Sequence, residues 1–335
     1  MWAALGLALM VQALALLAPA TVRASCGSAF CSVSTDWVAG GAAVEPGLRL
    51  DVRYEYVNQD RLQKGTSAYS VDPSSPNATD FDHIERKTVN RNLITTLDYQ
   101  FNDNWGVALV IPILSRTHRH LGQEEADDGM GGTVQVFKQE EWSFTELGDV
   151  RLVGRYQWPV DTDDGLHSRA YGLNFGLKLP TGQYKLENSE HEAAERTLQP
   201  GTGTTDGIVG AYVRQALGTK STVFAQISYQ AATAQVRNFA PGDRVNLDLG
   251  YRYAPNQTLG LMLQLNTLWK DHDHGQEAEY DESGATQVSL SPGISYALTR
   301  DFQVYGFYQK PIYQDVNGIQ LVAEQSYLAG FTVRF

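Results

Sequence analysis

The chain has 335 residues, only 19% of them charged, and a formal net charge of −12 at pH 7. Such an acidic balance argues against nucleic acid as a partner. Mean hydropathy is −0.30, and beyond the first two dozen residues there is no apolar run of the roughly 18 residues a spanning helix needs, which excludes a helical membrane bundle.

Residues 1–24 read MWAALGLALMVQALALLAPATVRA, an apolar stretch ended by Pro19 and followed by Val22 and Ala24 at small-residue positions. This is the pattern of a secretory leader cleaved after Ala24. Residues 25–46 are expected to form an amino-terminal periplasmic segment. Its two cysteines, Cys26 and Cys31, enclose Gly-Ser-Ala-Phe, and in an oxidising compartment they are expected to pair as a short disulfide loop. A redox or copper contact with a periplasmic partner is the other reading; the Cys-x-x-Cys-His of a haem attachment is absent.

From residue 47 the chain alternates. Leu48, Leu50, Val52, Tyr54 and Tyr56 fall on one face of an extended segment, with Arg49, Asp51, Arg53 and Glu55 on the other. A soluble core would not take the charged row, whereas a water-filled lumen would. The same alternation returns around 150–158, 171–179, 245–253 and 259–266. Segments of this kind lie near 47–57, 88–101, 105–116, 147–158, 168–180, 205–217, 221–233, 243–254, 257–269, 286–298, 301–311 and 322–335. They predict a transmembrane antiparallel β-barrel of about twelve strands, all-β, spanning residues 47–335 as one domain. Short turns alternate with long polar loops near 58–87, 117–146, 181–204, 234–242, 270–285 and 312–321, the pattern of periplasmic turns and extracellular loops.

The chain ends Tyr-Leu-Ala-Gly-Phe-Thr-Val-Arg-Phe, placing Tyr327, Ala329, Phe331, Val333 and Phe335 on one face. This resembles the closing strand of bacterial outer-membrane barrels, whose terminal Phe is read by the outer-membrane assembly machinery. The expected location is therefore the cell outer membrane, in contact with its lipid.

Three phrases carry a narrower resemblance: Leu147-Gly148-Asp149-Val150-Arg151, Lys178-Leu179-Pro180-Thr181-Gly182 and Pro200-Gly201-Thr202-Gly203-Thr204-Thr205-Asp206. In combination they resemble the outer-membrane proteins associated with the MetA pathway of phenol degradation. The resemblance implies a channel or transporter admitting small aromatic or sparingly soluble compounds, with no degradation chemistry of its own. Gly182, Gly201 and Gly203 are expected to take φ above zero in sharp loops, with Pro180 and Pro200 bounding a region where the ladder stops.

The alternation directs Arg49, Arg53, Arg151, Arg155, Lys178, Arg214 and Arg252 inward, with Asp51, Glu55, Asp98, Asp149, Asp206 and Asp248. Arg49, Arg155, Arg214 and Arg252 are expected at the short-turn mouth, where a basic ring favours anions. A salt-bridge network filling a narrow barrel is the alternative, since twelve strands lie between filled barrels of about eight and open porins of about sixteen. Two predicted loops hold His-x-His pairs, His118/His120 and His272/His274, with carboxylates nearby. Imidazole and carboxylate together suit zinc, copper or nickel, and solvated polar loops are the bland reading.

No enzyme signature accompanies the barrel. The His-x-Ser-Asn-Gly type motif of outer-membrane phospholipase is missing. Asp80-x-Asp82 and Asp271-x-Asp273 lack a convincing omptin-like Asp-x-His partner, and neither a nucleophile elbow nor a phosphate loop occurs. The expected function is passive passage of small solutes without a cofactor. The alternative is a non-conducting barrel, a structural sheath or a docking partner for a periplasmic redox or metal-handling protein.

Overall fold

The computed structural model describes residues 33–35, 46–75, 81, 83–127, 129–160 and 169–335. The expected leader and the Cys26–Cys31 pair lie outside them. Thirteen strands follow in order: β1 (Gly47–Gly65), β2 (Ser67–Ala68), β3 (His83–Gln100), β4 (Trp105–Asp127), β5 (Thr133–Leu147), β6 (Arg151–Val160), β7 (Arg169–Lys178), β8 (Asp206–Leu217), β9 (Ser221–Ala232), β10 (Arg244–Tyr253), β11 (Leu259–Lys270), β12 (Ala285–Ala297) and β13 (Phe302–Arg334). All pairings are antiparallel: β2 folds back on the end of β1, β5 and β6 both pair with β4, the other strands pair in succession, and β13 pairs back onto β1 to close the sheet.

The barrel has twelve strand passes. β5 and β6 run along successive lengths of β4, which pairs with β5 over Ile113–Asp127 and with β6 over Trp105–Val110. β13 turns at Asn317-Gly318: its first half pairs with β12 and its second half with β1, from Ile319↔Lys64 to Arg334↔Arg49. Gly318 adopts φ 59° at that turn, where a side chain would be strained. Closure leaves no sheet edge to face lipid.

The outer face carries the apolar row. Leu261, Leu263 and Trp269 on β11 are exposed, as are Leu247, Leu249, Tyr251 and Tyr253 on β10. From Leu261 to Trp269 is eight residue steps, roughly 20 Å along the axis at the usual rise and barrel tilt, close to the ~25 Å apolar band of such barrels. At the short-turn end an aromatic girdle begins, with Trp105 packed 4.6 Å from Tyr156 and Tyr156 4.6 Å from Trp158, centroid to centroid. Phe335 is exposed at this end, its N–H donating to the Leu48 carbonyl at 2.9 Å.

Two predicted long loops prove largely to be strand, and a third does so in part. β1 continues to Gly65, β4 and β5 rise as a hairpin through most of 117–146, and 312–321 is the continuous top of β13. Beyond the lipid both faces of a strand meet water, so the apolar alternation fades while backbone pairing persists. A second difference concerns residues 25–46. Val33, Ser34 and Thr35 sit within the barrel rather than in the periplasmic space: Thr35 Oγ1 accepts from Arg53 at 2.9 Å, and the Ser34 carbonyl accepts from Gln264 at 2.8 Å.

Candidate functional site

The inner faces of the strands form a lumen with three distinct zones. At the short-turn end, Asp98 binds two arginines: Arg155 in a fork at 3.0 and 3.1 Å, and Arg49 at 3.3 Å. Arg155 also donates to Gln100 at 2.6 Å. Arg214 is buried on β8, opposite Ala170 of β7. The structure thus brings Arg49 and Arg155 together on Asp98. Arg252 is half-buried against Gly260 and Ser295.

The middle zone mixes charge with an apolar patch. Asp51 accepts from Tyr305 and Thr332, Arg53 pairs with Glu55 at 3.0 Å, and Asp248 accepts from Asn266 at 2.7 Å. Arg151 stands opposite Lys178 in the β6–β7 pair and is exposed. Beside these groups, Phe224, Met262, Tyr305, Phe307 and Leu328 form a buried cluster, and Val33 packs on it. These five occupy the inward phase of β9, β11 and β13, where alternation calls for polar residues. Sequence reasoning missed them, although a large aromatic in the polar phase of a strand, as at Phe224 and Phe307, was the available signal.

The third zone lies toward the long loops. The three phrases behind the family resemblance converge there on one carboxylate. Asp149 accepts from the Gly182 N–H at 3.0 Å, the Thr202 N–H at 3.0 Å and Lys178 Nζ at 3.0 Å. Lys178 also pairs with Asp206 at 3.1 Å and reaches the Thr202 hydroxyl. Of the three glycines expected at positive φ, only Gly203 has it, at 76°. Gly182 and Gly201 are needed for another reason. Their backbones touch, and a Cβ on Gly201 would stand 2.4 Å from the Gly182 carbonyl oxygen.

This knot fixes both ends of the 181–204 loop, whose middle folds inward. Arg116 donates to the carbonyls of Leu198 and Thr197 at 2.5 and 3.1 Å. Leu198 and Ala194 pack on Trp142, whose indole N–H donates to the Glu192 carbonyl at 3.1 Å.

Beneath that loop is a cluster of histidines and carboxylates. His118 and His120 lie on strand β4 rather than in a loop, so their two-residue spacing aims both side chains inward. Opposite them β3 supplies His83 and Glu85, through a register in which Glu85 faces His120 and Thr88 faces His118. The outward neighbours at this height are Arg119 and Glu141, which pair at 2.8 Å on the exposed surface, so the cluster stands above the lipid band. Burial and the neighbouring imidazoles push His118 well below the usual histidine range, and burial with the charge of His83 takes His120 to about 4. His83 goes the other way: burial opposes its charge, but the hydrogen bond and charge of Glu195 raise it to about 10. Burial and the charge of Glu195 push Glu85 well up. His272 and His274 are not part of the cluster. His272 stacks on Tyr280 at 4.4 Å, His274 lies 5.9 Å from the same ring, and neither joins a metal-competent group among the described residues.

A profile of the family described as "Putative MetA-pathway of phenol degradation" matches residues 89–317. The chain belongs to this family. Among solved structures, the COG4313 outer membrane channel from Pseudomonas putida F1 superposes with a TM-score of 0.61 at 15% identity, covering 91% of this chain and all of that one. The NanC porin gives a TM-score of 0.43 at 12% identity over 85% of this chain and all of that one. The Ralstonia pickettii toluene transporter TbuX gives 0.41 at 9% identity over 93% of this chain and 97% of that one. No curated protein matches. The Pseudomonas structure and the family match agree with the barrel architecture of an outer-membrane channel.

Proposed function

We propose that this family member is a passive outer-membrane channel for small solutes that combine an apolar body with a polar group, aromatic compounds among them. The observation that carries this reading is the buried apolar patch of Phe224, Met262, Tyr305, Phe307 and Leu328 on the lumen wall, bordered by Asp51, Arg53 and Glu55. A lumen serving only hydrated ions has no use for five large apolar groups in its polar phase. With Val33 displaced from the patch, a ring resting on that wall would remove apolar surface from water at about 25 cal/mol per Å², and the adjacent charges would receive its polar substituent. The family's association with phenol degradation supports the same class of solute.

In the remaining parts of this reading, the leader is cleaved after Ala24, the strand ending in Phe335 is presented to the assembly machinery, and the Arg49, Arg155 and Arg214 group biases the short-turn mouth toward anions. No cofactor enters the transport step.

Val33, seated on the patch, favours a second reading, the non-conducting barrel, because the patch is covered by the chain itself. Planar-bilayer recordings of the refolded protein, joined to uptake of a phenol into liposomes, separate the two. Stable conductance steps and phenol uptake faster than that of an equally sized polyol support the channel. A silent bilayer with folded, inserted protein sinks it and leaves the plugged barrel.

A further inference from the structure

The cluster under the inward loop has the donors and spacing of a metal centre. His118 Nε2 lies 3.2 Å from His120 Nδ1 and 3.5 Å from Glu85 Oε2. Four bonds of about 2.0–2.1 Å in tetrahedral array set ligand atoms about 3.4 Å apart, so these two separations are already those of three ligands around one ion. All three donor atoms lie within 4.8 Å of one another, and all three side chains are buried.

The surroundings orient the imidazoles for this task. His120 Nε2 is 3.0 Å from Glu140 Oε2, so it donates outward and leaves the Nδ1 lone pair facing the centre. His118 Nδ1 is 2.9 Å from the Thr88 hydroxyl. That hydroxyl both donates and accepts, so it can take the Nδ1 hydrogen and free Nε2. Such outer partners are the usual support of metal-bound histidines.

Glu85 supplies a separate observation. Its side chain is 1% exposed, and neither carboxylate oxygen receives a hydrogen bond among the described residues. Its neighbours are ring nitrogens, His118 at 3.5 Å and His83 at 3.6 Å. A buried carboxyl group that receives no hydrogen bond and has only ring nitrogens at ion-pair distance is poorly compensated, and a dication between it and two imidazoles would give it a direct partner.

We propose that Glu85, His118 and His120 bind one divalent transition ion of the zinc class, with the fourth position open to water on the side of His83. His83 pairs with Glu195 of the inward loop at 3.2 Å, so the ion would sit where the β3–β4 wall meets that loop. A nitrogen-rich donor set favours zinc, cobalt, nickel or copper over magnesium and calcium, which demand oxygen cages.

The test uses the refolded chain, stripped with chelator and kept in detergent. Calorimetric titration with zinc chloride is expected to show one ion per chain, with no competition from excess magnesium or calcium. Cobalt is expected to give the visible absorption of a four-coordinate site. Glu85→Gln and His118→Gln should abolish both signals. Glu140→Gln, which touches no metal ligand atom directly except through His120, should weaken binding roughly 10- to 100-fold. The double variant His272→Ala/His274→Ala should bind normally. The Glu85→Gln change removes a buried charge and keeps the shape, so its fold is expected to survive, and circular dichroism checks this. Absence of zinc and cobalt binding by the folded parent overturns the proposal. So does binding untouched by Glu85→Gln and His118→Gln, or binding lost on removal of His272 and His274.

Discussion

Tyr305 donates its phenolic hydrogen to Asp51 at 2.7 Å, reaching from the upward pass of β13 to β1 across the strand that closes the barrel. Thr332, on the intervening downward pass, donates to the same oxygen at 2.8 Å. One carboxylate thus holds three adjacent passes at the seam, and the tyrosine that binds it also forms part of the apolar patch.

Tyr305→Phe keeps the ring and deletes the donor. Hydrogen bonds to charged groups contribute about 1.5–3 kcal/mol, and stability is expected to fall by that amount with barrel formation intact. Denaturant midpoints measured in detergent check this, and an unchanged midpoint would show that Thr332 alone suffices for Asp51.

Arg155→Ala removes one of the two arginines on Asp98. The short-turn mouth then loses a positive charge and frees part of a negative one. In a salt gradient the reversal potential should move toward cation preference. A reversal potential equal to the parent's would show that this mouth does not select ions.

Lys178 pairs with both Asp149 and Asp206 in a site where all three side chains are under a tenth exposed. Lys178→Met leaves two buried carboxylates facing each other. Breaking such a pair costs about 3–5 kcal/mol, and the loss should shrink when Asp206→Asn is added. A double-mutant cycle on unfolding midpoints reads the coupling.

Arg116→Ala cuts the two hydrogen bonds that hold Thr197 and Leu198 inward. The 181–204 loop should then be clipped faster by added protease, and single-channel conductance should rise. Equal cleavage rates in parent and variant would mean that Trp142 and the Asp149 knot hold the loop unaided.

The barrel itself was legible because lipid outside and water inside impose a strict two-residue period, as in Leu48 to Tyr56 and Val245 to Tyr253. Above the lipid that contrast disappears, and so the strand nature of His118 and His120 was hidden among the polar residues of 117–146. Once the pair is on a strand, its spacing places both imidazoles on one face, whereas His272 and His274 remain in a loop with Tyr280. The partners His83, Glu85 and Glu195 come from another strand and a distant loop, and a linear reading has no means of pairing them. The knot at Asp149 shows the converse: its phrases stood out in the sequence, but the reason for Gly182 and Gly201 is mutual backbone contact, which becomes visible only when the two loop ends meet.

Pairing between β1 and β13 joins Arg49 to Arg334 and Leu50 to Val333, residues near opposite ends of the barrel sequence. No partial chain can make these contacts, so the cylinder stays open along one side until its final strand has been delivered. Both unpaired borders are then long templates for strand addition by other chains, and contacts of such sequence separation form slowly. The seam therefore makes assembly a race between self-closure and aggregation, one this polypeptide is best placed to win when an escort shields its two borders until they meet.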